Sequence, residues 1–357
     1  MAYTTIDDPS EYFQIALYTG NGTAIGSGGL TITNDGNSDL KPDWIWHKKR
    51  GSAESHAVAD SNRGTHKGIF PNETNAESSG GSQYVNSFNT DGFTVGNVGW
   101  ANDSGQTYVA WQWKCNGGTT SSNTDGSITS TVQANTTAGF SIVTYTGNAT
   151  ANATVGHGLG AVPKMVIVKN RTSGAPSWRV YHSIMGTTAT QSLFLDQTLG
   201  LTTDGNIVKT VTSSTFSLSS GGTEVNNTGN NYVAYCFAEI DGYSKFGSYT
   251  GNGSTDGTFI YTGFRPSFVI IKRTDSTSSW SMRDTVRSPY NVVTNRLWAD
   301  LTNAESTSTT ETIDILSNGF KARNDVAGIN ASGGTYIYMA FAENPFVTSG
   351  AVPVTAR

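Results

Sequence analysis

Residues 140–169 read FSIVTYTGNATANATVGHGLGAVPKMVIVK. They describe an alternating strand ending at Tyr145, a loop of Gly, Asn and Thr, and a second apolar strand launched by Pro163. The chain writes this twice more. Tyr18-Thr19-Gly20-Asn21 and Tyr249-Thr250-Gly251-Asn252 repeat Tyr145-Thr146-Gly147-Asn148, and strands behind Pro42 and Pro266 repeat the one behind Pro163. The run Trp44-Ile45-Trp46 is apolar on both faces, which predicts a central strand covered on both sides.

The spacing makes this a tandem duplication. Tyr145 to Tyr249, Pro163 to Pro266, Trp178 to Trp280 and Tyr232 to Tyr336 lie 104, 103, 102 and 104 residues apart. Thr74-Asn75-Ala76-Glu77 returns as Thr302-Asn303-Ala304-Glu305. Units of about 100 residues are too long for solenoid or propeller repeats, so each reads as a whole domain. Short strands between Gly-rich turns predict an all-β chain of three tandem antiparallel β-sandwiches of about 100 residues each. The boundaries are 1–116 for the first repeat with an N-terminal arm, 117–241 for a linker and the second, and 242–357 for the third with a C-terminal tail. Asn116 to Ala138 reads as a linker that leaves the first two modules loosely coupled, with Ser127–Val132 as an alternative edge strand of the second.

Composition agrees. Charged residues make up 14% and there are 41 Gly, against 8 Trp, 15 Tyr and 15 Phe, which suits aromatic cores joined by tight turns. A net charge of −5 argues against nucleic acid as a partner. The densest basic run, His47-Lys48-Lys49-Arg50, reads as a solvated strand end. Cys115 and Cys236 form no metal spacing and are expected as buried, reduced thiols. The N-terminus has no signal-peptide pattern, and no apolar run is long enough for membrane insertion.

No catalytic signature emerges. A nucleophile elbow, a phosphate loop and a dinucleotide fingerprint are all missing. The position filled by Asp60, His182 and Asp284 changes residue type between repeats, so it reads as a strand-end group bonding its turn. His157, between Gly156 and Gly158, is open to a ligand contact or to loop packing. Trp100 and Trp298 are read at loop mouths, where they could stack on sugar rings, and with His157 they form the candidate ligand-binding set. The loop Asn252–Gly257 offers oxygen ligands for Ca²⁺, yet its Asn-Gly and Asp-Gly pairs are first of all turn formers, so no cofactor or metal is expected.

MAYTTIDDPSEYFQIALYTGNGT, GFSIVTYTGNATANATVGHGLGAVPKMVIVKNR and YIYMAFAENPFV resemble a repeat in structural proteins of marine tailed phages, the cyanophages and their relatives. The resemblance covers nearly the whole chain. It implies lectin-like sandwiches of concanavalin, laminin-G or jelly-roll type. It also implies a non-enzymatic virion protein, made in the host cytoplasm and carried on the particle surface. A tail fibre or tail-associated appendage contacting host-surface glycans is the first expectation, and a head decoration or connector protein the alternative. The partners implied are other virion proteins and further copies of the chain, a trimer among the options.

Overall fold

The computed structural model describes residues 4–79, 81–186, 189–205, 207–219 and 222–353. Its strands run antiparallel and the fold is all-β. Each repeat builds a larger inner sheet and a three-stranded outer sheet. In the first, the inner order is Phe13–Thr19, Thr107–Trp113, Trp44–Lys49, Ala57–Asp60. The second and third keep that order, with Phe140–Thr146, Asn231–Phe237, Met165–Asn170, Arg179–His182 and with Ser244–Thr250, Thr335–Pro345, Phe264–Arg273, Ser281–Asp284. The opening and closing strands even share a register: Tyr18 faces Tyr108, Tyr145 faces Tyr232 and Tyr249 faces Tyr336. In the third repeat the second strand begins before its proline. The ladder shifts at Pro266, which has no N–H to give.

The two-residue period of a strand explains why these runs are apolar throughout. Ile45, Val166 and Val168, Val269 and Ile271 point to the outer sheets and fill one core within each module. The alternate residues point the other way. Trp44 and Trp46, Met165 and Ile167, Phe268 and Ile270 join Trp111, Trp113, Tyr235, Phe237, Met339 and Phe341 in one cluster that all three modules share. Trp44 stands 4.4 Å from Trp113 in its own module and 4.8 Å from Tyr235 in the second. Phe13 lies 5.3 Å from Phe341 of the third.

The expectation of loosely coupled modules is therefore corrected: the inner sheets form one body. The supposed linker is structured as well. Asp43 accepts the N–H of Cys115 (2.7 Å) and Gly117 (2.8 Å), and the strand Ser130–Asn135 pairs with Phe140–Thr146 as an extra strand of the second module. Gln133 then reaches back to Ser61 of the first module at 2.9 Å.

Because the shared cluster belongs to no single module, Trp44→Ala should lower stability by about 3–5 kcal/mol. Calorimetry should show one transition for the whole chain shifting as a unit, with calorimetric and van't Hoff enthalpies still equal.

Candidate functional site

The most conspicuous repeated motif, Thr-Gly-Asn, is a loop clamp. The glycine packs against a neighbouring loop: a Cβ at Gly20, Gly147 or Gly251 would run into the carbonyl oxygen of Asp103, Asn227 or Ala331. A buried asparagine then holds each loop. Asn102, Asn226 and Asn330 accept the N–H of Asn21 (2.8 Å), Asn148 (3.0 Å) and Asn252 (3.0 Å). The tyrosines Tyr108, Tyr232 and Tyr336 brace the same corner, each accepting one N–H and donating to a carbonyl. The next turn position is left-handed in all three, at Gly22 (φ 68°), Ala149 (φ 56°) and Gly253 (φ 64°). That the second module keeps this backbone with an alanine shows how firmly the clamp dictates the loop.

A set of buried polar groups bonds between modules. Lys48 of the first module donates to the carbonyl of Thr302 in the third, Lys169 of the second to Thr74 in the first, and Lys272 of the third to Thr198 in the second, at 3.2, 2.7 and 2.7 Å. Indole or imidazole donors follow the same cycle. Trp178 reaches the Phe70 carbonyl (2.9 Å), Trp280 that of Phe194 (2.7 Å), and His56 that of Trp298 (2.9 Å). One kind of contact thus runs first to third, third to second and second to first, and closes on itself. It is a heterologous interface turned into a ring, written within a single chain. Burial pulls Lys48, Lys169 and Lys272 down to about 8.

Two of the three seams carry a matching ionic tetrad. At the first–second seam, Asp60 bonds Arg63 (2.5 Å), Arg63 bonds Glu77 (2.9 Å), and Glu77 takes a two-pronged bond from Arg171 (2.9 Å each), while Tyr235 donates to Asp60 (2.6 Å). At the third–first seam, Asp284, Arg287, Glu305 and Arg50 repeat the chain at 2.5, 3.0 and 2.8 Å, with Trp111 donating to Asp284 at 3.1 Å. Burial raises Glu77 and Glu305, but the bonds and charge of their arginines outweigh it and hold both carboxyls below their usual range. The second–third seam has His182, Met185, Leu201 and Thr274 in those four places. Burial brings His182 down to about 4, so it is neutral, and Met185 and Leu201 pack against the shared core. The backbone contact survives the exchange: the N–H groups of Glu77, Glu305 and Leu201 bond the carbonyls of Arg171, Arg50 and Thr274 at 3.0, 2.9 and 2.8 Å.

This geometry also settles what the polar residues can do. Asp60, His182 and Asp284 each accept an N–H two or three residues on, the expected turn bond. The reading of His47–Arg50 as a solvated strand end is corrected. His47 and Lys48 are fully buried, Lys49 bonds Asp103 (2.7 Å), and Arg50 bonds Glu305, because this strand end enters the seam. Paired this way, the buried carboxylates are acceptors locked to arginines rather than groups free to move protons. Burial also pushes the thiols of Cys115 and Cys236 up, and both are unbridged. Among the described residues, no group of three or more His, Cys, Asp or Glu side chains converges to hold a metal. In the loop Asn252–Gly257, Asp256 is engaged by Lys321 at 2.5 Å.

The candidate ligand set does not assemble. Trp100 sits in the short helix Gly99–Asn102 and is buried, its ring 5.0 Å from Tyr84 and 5.4 Å from His47. His157 is fully buried, accepting from Leu159 N–H and donating to Thr212, both at 3.2 Å. Gly156 ends the strand Thr154–Gly156 and Gly158 turns the chain (φ 71°), with the ring left inside. Trp298 lies half-buried in the strand Asn295–Trp298 under Arg296, 4.7 Å away. The three belong to different modules and share no partner. The seams were missed, although the repeat carried their signal: a lysine at one aligned place in every module, and Asp-x-x-Arg with Thr-Asn-Ala-Glu in two of them.

These features define a β protein of three modules that close on one another through a cycle of seam contacts. The chain belongs to the family described as "Domain of unknown function (DUF7483)", which matches residues 8–345 and so takes in all three modules. No curated protein and no solved structure matches the chain.

Glu305→Ala removes the carboxylate that Arg50 and Arg287 share, leaving Arg50 without its partner, and should destabilise by about 3 kcal/mol. Giving that seam the other seam's residues (Asp284→His, Arg287→Met, Glu305→Leu and Arg50→Thr together) should cost less than the single change, read by urea denaturation. Acid should act through the same groups. Since Glu77 and Glu305 titrate lower folded than unfolded, their contribution is complete above the ordinary glutamate value of 4.5 and is lost as pH falls through their lowered values. Denaturation midpoints measured at stepwise lower pH should fall less steeply in the four-residue seam variant than in the parent.

Proposed function

We propose that this protein is a non-enzymatic structural component of a tailed-phage particle, carried on the virion surface as a tail fibre or tail-associated appendage that contacts host-surface glycans. The observation that carries the structural part is the shared core. Three modules bury their inner faces against each other, leaving loops and outer sheets as the surface through which the molecule meets anything else. Loops on a rigid β framework can vary while the framework persists, which suits a protein whose work is contact rather than chemistry. Asp60, Glu77, Asp284 and Glu305 are tied to arginines in the seams rather than set as a free acidic pair.

One observation favours a second reading, a head decoration or connector protein. The cyclic seam contacts give a single chain threefold character, which matches a docking position where three like subunits of a shell meet. Other virion proteins are the partners in both readings. In neither is a homotrimer needed to supply a threefold arrangement.

Immunogold electron microscopy of intact particles, with antibody against residues 242–353, separates the two. Gold on tail-proximal fibres is the expected result. Gold spread over the head would replace the appendage by the decoration protein, and particles without gold would remove the virion assignment.

A further inference from the structure

The repeat supplies an internal control for which surface residues the framework needs. In the outer sheets, Ile32, Val155 and Ile260 pair with Phe93, Phe216 and Phe320, so the residues flanking them are equivalent. The flanking positions are Thr31 and Thr33 in the first module, Thr154 and Gly156 in the second, and Phe259 and Tyr261 in the third. Small residues therefore satisfy the sheet. The third module instead places two aromatic rings there, 44% and 54% exposed. Among the described residues, the aromatic side chains this open to solvent are Phe259, Tyr261 and Tyr290. In a chain that buries its aromatics so consistently, an exposed pair that the fold does not require points to something outside the fold.

Phe259 and Tyr261 point to the same side of the strand Phe259–Tyr261, about 7 Å apart along it. The Phe259 ring leans over Gly319, the residue opposite Tyr261: a Cβ at Gly319 would come within 3.1 Å of that ring. Tyr261 also borders a cleft of 200 Å³ whose other walls are Asp241, Gly242, Lys245, Thr262 and Gly263. The turn that forms its floor is fixed, since Tyr243 and Ser244 both bond the Ile240 carbonyl (3.0 and 2.9 Å). Lys245 gives one N–H to Glu239 at 2.6 Å, and an ammonium has two more to offer, while Asp241 is an exposed acceptor. Beyond the rings the sheet face is polar, with Lys321 bonded to Asp256 (2.5 Å) and Arg323 to Asp314 (3.3 Å).

We propose that this face of the third module is a sugar-binding site, taking one pyranose unit of a surface polysaccharide with its C–H face on Tyr261 and its hydroxyls toward Asp241 and Lys245. The site deepens the glycan-contact reading above and rests on it. A sugar matches this mixture because it has one apolar face and a rim of hydroxyls. A protein partner would need a broad apolar patch, which the surrounding ion pairs interrupt. The cleft is smaller than those that enclose drug-sized molecules, so it suits a single ring on a longer chain.

The test is saturation-transfer NMR of the full chain against methyl glycosides of glucose, galactose, mannose and N-acetylglucosamine, paired with binding of the labelled chain to host cells before and after periodate. At least one glycoside should bind. Tyr261→Ala should weaken it tenfold or more, Tyr261→Trp should retain it, and Tyr290→Ala should leave it unchanged. Glycoside binding that survives Tyr261→Ala overturns this site and leaves glycan contact standing. No glycoside binding, with periodate-sensitive attachment to cells still present, also overturns this site alone. Absence of both overturns the site and the glycan reading together.

Discussion

The architecture depends on one constraint: each inner sheet is apolar on both faces, and its own outer sheet can cover only one of them. Trp44, Trp46, Trp111 and Trp113 all face away from the first module's own sandwich core. Left in water, such a face would cost about 1.5–3 kcal/mol for each large side chain. Three modules resolve the problem by giving their spare faces to one another. Everything polar at the seams then follows, because bringing sheets together strands backbone carbonyls at their margins, and buried carbonyls need donors. Lys48, Lys169 and Lys272, with His56, Trp178 and Trp280, are those donors.

The seams also show what can vary once that constraint is met. Two use a four-residue ionic chain, and the third fills the same positions with His182, Met185, Leu201 and Thr274. The exchange is complete, without a mixed seam, and electrostatics explains why. A lone buried arginine or glutamate is far more costly than either the full set or none. Difference between seams has a further effect. It marks which module belongs beside which, so that three similar surfaces have one arrangement rather than several.

Most of the fold was legible in the sequence because strand alternation and turn chemistry are local. The Thr-Gly-Asn loops and the apolar runs behind the prolines appear as read, and the Trp44 strand lies covered on both sides. What failed concerned relations between modules. Asn116–Ala138 looks like a linker because its polar composition suits a loop, yet Asp43 and Ser61, residues distant in sequence, pin it down. His47–Arg50 looks solvated because charge is normally at the surface, whereas Trp100 and Asp103 of its own module and the Thr302 carbonyl and Glu305 of the third reverse that. For Trp100 and His157, position in a loop suggested access, whereas packing against Tyr84 and Thr212 removes it. Local sequence carries no record of such partners, although comparing the repeats with one another would have exposed the seam residues.

Covalent fusion of the ring has a consequence for how the surface can change. In an assembly of three identical chains, every substitution appears three times, and a residue that helps on one lobe is imposed on the other two. Here each lobe has its own stretch of gene. Their association also does not depend on protein concentration, because the linked modules see one another at a high effective concentration. Phe259 and Tyr261 occupy one lobe while Thr31 and Thr154 keep the ordinary surface elsewhere. A molecule built this way can hold threefold geometry on its inside and specialise its outside one face at a time.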